Sequence, residues 1–230
     1  MIRIIAAAAR HHEEIEWLST YWLFSFSDYY DPENVHFALL RVFNDDVIAP
    51  QAGFPLHGHQ EMEIITIPLS GELTHEDNAG HRAVVRAGDV QRMSAGTGIR
   101  HAEMNLGSEP AHLYQIWFFP TQPGIVPDYA QRAFAPVAWQ NRLLPLVSGH
   151  SLPDTLTMNA DATLYRAALD SGTVIDFTPR GRNVFIYLTS GAVIVNDATL
   201  SAGDQARITG EAVLRLTAVE GAEMMLIDMA

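Results

Sequence analysis

The sequence predicts an all-β chain built from two copies of one antiparallel barrel, with few short helices. Three observations predict it. Segments rich in β-branched and aromatic residues, often alternating, recur at 37–44, 62–69, 112–119, 184–189, 192–196 and 213–218. Turn residues punctuate them at Asp31-Pro32, Asn44-Asp45-Asp46, Asn78-Ala79-Gly80 and Gly107-Ser108-Glu109-Pro110, the spacing of hairpins in a sandwich or barrel. Finally, Ser70-Gly71-Glu72-Leu73 followed by Ala87-Gly88-Asp89 returns as Ser190-Gly191-Ala192-Val193 followed by Ala202-Gly203-Asp204. Each glycine falls where a strand must reverse, and Gly-Asp suits the turn into the next strand.

Along the chain, residues 12–20 carry the pattern of a helical turn or two, and 128–134 another. Elsewhere short strands follow one another. The segment 124–145, with Pro127, Pro136 and Pro145, reads as the connection. The expected units are therefore 1–135 and 136–230.

With 230 residues and 48% hydrophobic content the chain can bury a sizeable core, which excludes disorder. Lys and Arg number 14 against 27 Asp and Glu, a net charge of −13. No basic cluster tracks a phosphate backbone, so direct nucleic-acid binding is not expected. The absence of cysteine excludes disulfides, thiolate metal sites and a cysteine nucleophile. The apolar run at 4–9 is too short for a secretory core, and no stretch approaches a membrane span. The expectation is a soluble, cytoplasmic protein.

The chemistry concentrates in two short motifs. His57-Gly58-His59 and His101-Ala102-Glu103 each place two metal-capable side chains two residues apart. On a strand such residues share a face. If the two strands face each other inside a barrel, three imidazoles and one carboxylate converge. That donor set suits a divalent transition metal and leaves coordination positions open. The glycine-rich approach Gly96-Thr97-Gly98 strengthens the reading, since it lets backbone pass close by. Carrying these positions through the repeat lands on Phe177, Pro179, Leu216 and Ala218, so only the first copy is expected to bind metal.

These motifs resemble those of the cupin superfamily: His57-Gly58-His59, Glu63 and Gly71, then Gly88, His101 and Asn105. More specifically they resemble the pirin family, together with Arg41-Val42-Phe43-Asn44-Asp45-Asp46, the run from Ser94 to Asn105, and the opening from Phe24-Ser25-Phe26 to Tyr30-Asp31-Pro32. The resemblance is specific over 15–135. One departure is Gly58, where pirins usually have proline. The resemblance implies a bicupin of two face-to-face barrels, with His57, His59, His101 and Glu103 binding one metal in the N-terminal barrel. Iron is the first expectation; nickel, manganese, cobalt, copper and zinc also suit the donors. In many other cupins the first-motif glutamate, here Glu63, is a ligand. Glu63 shares the parity of His57 and His59 and is expected to orient a histidine N–H from behind.

The length resembles shorter bacterial pirin-like proteins with quercetin 2,3-dioxygenase activity. That implies an enzyme acting on a flavonol-like aromatic substrate and O₂. The flavonol 3-hydroxyl would dock on the metal, Glu103 would take its proton as general base, and the heterocycle would open with loss of carbon monoxide. Pirins also include regulatory, redox-sensing metal proteins, and with this charge such a protein would act through a protein partner. A third reading is a metal-dependent isomerase or hydrolase, since a fold does not fix function. A monomer is expected.

Other residues read more plainly. His11-His12 is expected on the surface and His75-Glu76-Asp77 at a hairpin end. His112 is expected as a satisfied core histidine. Trp22, Tyr29 and Tyr30 pack, or stack on an aromatic ligand if they border a pocket. No phosphate loop or serine nucleophile elbow is present, and Gly96-x-Gly98 lacks the context of a dinucleotide site.

Overall fold

The computed structural model describes residues 1–180 and 182–230. Strands dominate. In chain order they are β1 (Ile2–Ile5), β2 (His11–Ile15), β3 (Leu18–Trp22), β4 (Leu40–Ile48), β5 (Ala52–His59), β6 (Glu63–Ser70), β7 (Glu72–Asp77) and β8 (Arg82–Arg86). Next come β9 (Asp89–Ser94), β10 (Ile99–Asn105), β11 (Ala111–Phe118), β12 (Asp128–Ala133), β13 (Leu144–Ser148), β14 (Leu156–Thr157) and β15 (Ala162–Leu169). The last are β16 (Val174–Phe177), β17 (Asn183–Ser190), β18 (Ala192–Val195), β19 (Ala198–Ser201), β20 (Gln205–Ile208), β21 (Leu214–Ala218) and β22 (Ala222–Met229). Ala7–Ala9 and Pro136–Trp139 form single 3₁₀ turns. Among the described residues no helix is long and apolar enough to cross a membrane.

The chain divides into two compact units, 11–134 with 158–160, and 1–10 with 135–157 and 161–230. In the first unit a seven-stranded sheet, β12-β9-β6-β11-β4-β3-β2, accompanies a four-stranded sheet, β5-β10-β7-β8. The second has a seven-stranded sheet β1-β20-β17-β22-β15-β13-β14 and a four-stranded sheet β16-β21-β18-β19. Each unit is thus a two-sheet jelly roll, the double-stranded β-helix form of the antiparallel barrel expected. The repeat marks equivalent hairpins: β6-β7-β8-β9 recurs as β17-β18-β19-β20. Gly71 and Gly191 turn at φ 70° and 76°, where a Cβ would strike backbone at 2.7 and 2.1 Å. Asp89 and Asp204 each accept the backbone N–H three residues back, from Arg86 at 2.9 Å and Ser201 at 2.8 Å.

Three expectations need correction. Residues 12–20 form the β2–β3 hairpin, in which Leu18, Thr20 and Trp22 point inward and Ser19 and Tyr21 do not. The closely spaced glutamates imitate a helix face, but the period is two. Within 128–134, Asp128–Ala133 likewise form β12, paired along its length with β9. The first unit does not start at residue 1, because β1 pairs antiparallel with β20, Ile2 opposite Ile208 and Ile5 opposite Gln205.

The core of the second unit is aliphatic: Ile186, Leu188, Val193, Leu214, Leu216, Ala218, Met224 and Leu226 are buried together. The first unit has apolar clusters too, Leu18, Ile48, Leu73 and Leu113 in one of them, but it also buries a concentrated polar set: Thr66, His75, Asp77, Gln91, His101, Glu103 and Gln115. That contrast locates the site.

Candidate metal centre

His57 and His59 close β5, and His101 and Glu103 lie on its neighbour β10. His101 pairs with His57, and Glu103 pairs with Phe54, so the register slips between them. A bulge of this kind re-aims side chains. Gly53 permits the close approach beside it: at φ 153°, a Cβ there would lie 2.2 Å from the Glu103 carbonyl oxygen. One nitrogen from each of His57, His59 and His101 lies within 4.8 Å of the others. Glu103 gathers with His101 and His75 in a second triad by the same measure. His101 is the shared member.

Hydrogen bonds define which nitrogens carry lone pairs. His57 Nδ1 donates to the Pro55 carbonyl at 2.8 Å, which leaves Nε2 bare. His75 Nε2 donates to Asp77 Oδ2 at 3.1 Å, so its Nδ1 accepts. The donor to it is His101 Nδ1, 3.3 Å away, which leaves His101 Nε2 bare as well. The two bare Nε2 atoms face each other at 3.1 Å. Two lone pairs at that distance repel unless a cation lies between them. Metal–nitrogen bonds of about 2.1 Å at right angles set neighbouring donors about 3.0 Å apart. The imidazoles therefore fit a transition metal.

Electrostatics agrees. Burial, then the neighbouring His101 and His57, lowers His59 to about 4. Burial, then His57 and His75, lowers His101 to about 3. Both remain neutral near pH 7, the form that ligates. Burial raises the Asp77 carboxyl, but the bonds from His75 and His81 outweigh it and hold it below its ordinary value. Asp77 also accepts the N–H groups of Ala79 and His81 at 2.9 and 3.0 Å, so it is a fixed anchor behind His75.

The Glu103 carboxylate is held from three sides. Gln115 Nε2 donates at 2.6 Å, Gln91 Nε2 at 3.2 Å and Thr66 Oγ1 at 3.3 Å. These donors stand on one register row of the large sheet: Gln91 opposite Thr66, Thr66 opposite Gln115, Gln115 opposite Asn44, Asn44 opposite Trp22. Burial, then nearby carboxylates, raises the Tyr129 phenol, so it stays protonated and shares its proton between Gln131 Oε1 at 3.1 Å and Gln91 Oε1 at 3.2 Å. The contact with Gln91 Oε1 is consistent with the amide nitrogen facing Glu103.

A cavity of about 450 Å³ opens onto His57, His59 and Glu103, within the range of small-molecule sites. Its walls include Trp17, Trp22, Phe26, Phe54 and Trp117. The Trp117 indole stands edge-on to His59, with ring centroids 4.8 Å apart.

Several sequence expectations change here. Glu63 does not orient an imidazole: it accepts from Ser94 Oγ at 2.8 Å and from the Asn159 backbone at 3.1 Å. Glu61, at φ 52°, breaks the strand between His59 and Glu63, so parity does not carry across. His75 does stand near the end of the β7–β8 hairpin, as expected, but it is wholly buried and meets His101, so it also borders the site. The nearby Asn78-Ala79-Gly80 turn disguised it; its i, i+2 spacing to Asp77 was the available signal. His11 is sandwiched by Tyr29 and Trp22, with centroids 4.2 and 5.3 Å away. His112 is half-buried and meets Asp45 Oδ1 at 2.6 Å.

Two-sheet units of this topology, one carrying a histidine cluster under a cavity, define a cupin-type protein with a candidate metal centre. The pirin family model matches residues 5–118, and the quercetinase C-terminal cupin domain model matches 146–229. The chain belongs to the pirin family. It is 43% identical to a pirin-like protein of Caulobacter vibrioides, covering 93% of each chain. It is 40% identical to the quercetin 2,3-dioxygenase of Escherichia coli K12, covering 100% of this chain and 99% of that one. The bacterial pirin YhhW of Escherichia coli, solved in complex with nickel(II), superposes with a TM-score of 0.94 at 39% identity, covering 100% and 99%.

Proposed function

We propose that His57, His59, His101 and Glu103 hold one divalent transition metal and that the chain is a dioxygenase opening the heterocycle of a flavonol such as quercetin. The observation that carries the reading is the pair of bare Nε2 atoms 3.1 Å apart, beside a carboxylate at the floor of an aromatic cavity. The relative that bears the quercetin 2,3-dioxygenase name spans the whole chain, and the nickel complex of YhhW supports a metal here. When bound, such a metal supplies Lewis acidity toward a hydroxyl or carbonyl oxygen and access to O₂ chemistry.

The protein's own groups do the rest. The aromatic walls accept a flat ring system and exclude water. Glu103, fixed by Gln115, Gln91 and Thr66, faces the cavity as acceptor for the substrate hydroxyl proton. Asp77 and His75 keep His101 in the tautomer that presents Nε2.

The test is aerobic and anaerobic turnover of quercetin by metal-loaded protein, with gas and metal analysis. Carbon monoxide should appear only with O₂. His57→Ala should lose metal and turnover together. Glu103→Gln should retain part of the metal and lose about 100-fold or more in rate, the usual scale of a lost general base. A Glu103→Gln variant as fast as the parent would remove the proton-transfer role.

A further inference from the structure

The cavity differs in chemistry between its floor and its mouth. Glu103 and Gln115 at the floor are buried. At the mouth Ile15, Ser27 and Asp28 are exposed, and Glu13, Trp17 and Phe26 are half-buried. Both ionisable groups of that mouth are acids. Among the described residues no Arg or Lys side chain borders the cavity, and Asp28 has no ion-pair partner.

Local structure fixes the two carboxylates. Glu13 sits on β2, two residues from His11, whose Nε2 lies 3.7 Å from Glu13 Oε2. Asp28 sits in a tight turn across which Phe26 and Tyr29 exchange backbone hydrogen bonds of 3.1 and 3.0 Å. Ser27 holds φ 47° there, a region that residues with a Cβ seldom adopt. The His11 ring stacks on Tyr29, with centroids 4.2 Å apart, and so ties the turn to β2. The two acids belong to one stacked junction rather than to two free arms. Rings complete the mouth. Phe26 meets Trp22 and Trp117 at 5.5 Å each, and Trp17 meets Phe54 at 5.1 Å. Aromatic faces attract cations, tryptophan most strongly. A cleft whose walls carry one sign of charge concentrates ligands of the opposite sign.

We propose that Glu13 and Asp28 form a charge filter at the cavity mouth, which favours an aromatic ligand bearing a positive group at its outer end, tolerates a neutral one and rejects one bearing a sulfonate, sulfate or carboxylate there. The inference rests on the cavity being the ligand site of the preceding reading and adds charge to the substrate class. The reacting end of the ligand faces the imidazoles and Glu103. The cationic end stays at the mouth, where it keeps part of its water and escapes the cost of burying a charge.

The experiment measures equilibrium binding to the full chain at pH 8, by quenching of tryptophan fluorescence. Metal is left out so that an anionic probe has none to ligate. The probes are naphthalenes of one shape that carry a trimethylammonium, a tert-butyl or a sulfonate group at the same ring position. The ammonium probe should bind about tenfold or more tighter than the sulfonate in about 20 mM salt, and the preference should shrink to about threefold in about 0.5 M salt. Glu13→Gln combined with Asp28→Asn should cut the low-salt preference to about threefold or less. The same variant should keep the affinity for the tert-butyl probe within about twofold, which a misfolded protein would not do. Equal binding of the ammonium and sulfonate probes by the parent, no binding of any probe by the parent, or an undiminished preference in the double variant overturns the proposal. A preference for the cation in a protein that does not turn over quercetin supports the filter and sinks the dioxygenase reading. Turnover of quercetin by a protein without charge preference does the reverse.

Discussion

One register row crosses the large sheet of each unit, and the two rows differ in every residue. In the first unit it reads Gln91, Thr66, Gln115, Asn44. In the second, the equivalent strands carry Ala206, Ile186, Leu226, Tyr165. The small sheets repeat the contrast: His101 opposes His57, whereas Leu216 opposes Ile175. The repeat placed the counterpart of His57 at Phe177, and pairing places it two residues earlier. The second unit demonstrates that this topology closes on aliphatic side chains. The amides, histidines and glutamate of the first unit are therefore not needed for the fold and raise its cost.

Substitutions that make one unit resemble the other test this view. The largest effect belongs to His101→Leu, which installs the residue of the second unit. Metal content should fall at least about 100-fold by elemental analysis, since the shared member of both triads, a proposed ligand, is gone. A variant that still loads metal fully would break the comparison.

Next is Asp46→Asn in metal-free protein. Burial raises the Asp46 carboxyl from 3.8 to about 7. The folded state thus holds a proton that the unfolded chain has released, and stability falls as pH rises from about 4 to about 7, then levels. That fall is on the order of 4 kcal/mol at most. Denaturant titrations at pH 4 and pH 8 should show Asp46→Asn flattening it; an unchanged slope would refute the assignment.

Gln115→Leu should follow, at about 2 kcal/mol of lost stability, because Glu103 keeps its burial and loses its shortest donor. A companion Glu103→Leu should recover part of the loss. The smallest effect is Gly58→Ala. A Cβ there meets Arg100 Cγ and the Ile99 carbonyl only at 3.8 Å, so the change should add about 0.5 kcal/mol and leave metal binding intact.

The clustering of the two histidine motifs was legible because i, i+2 spacing is a property of two residues and needs no partner strand. The jelly-roll hairpins were legible for the same local reason, through Gly71, Gly191 and the Gly-Asp turns. What escaped depends on pairing at a distance. Gly53 matters only because β10 passes over it. Gln91, Thr66, Gln115 and Asn44 are unremarkable within their own strands and become a row only through register. His75 was read from its neighbouring turn rather than from the imidazole it backs. The β2–β3 hairpin was misread because its glutamates imitate a helical face.

The pairing of Ile2–Ile5 with Gln205–Ile208 closes a loop of about two hundred residues, the kind of contact that chain entropy makes slow to form. A fragment cut at 135 would begin life with a raw sheet margin along β20. Such a margin invites another copy to add a strand. The same exposed hydrogen-bonding groups would capture a synthetic peptide of residues 1–10, turning a fragment that clumps into one that can be rescued in trans.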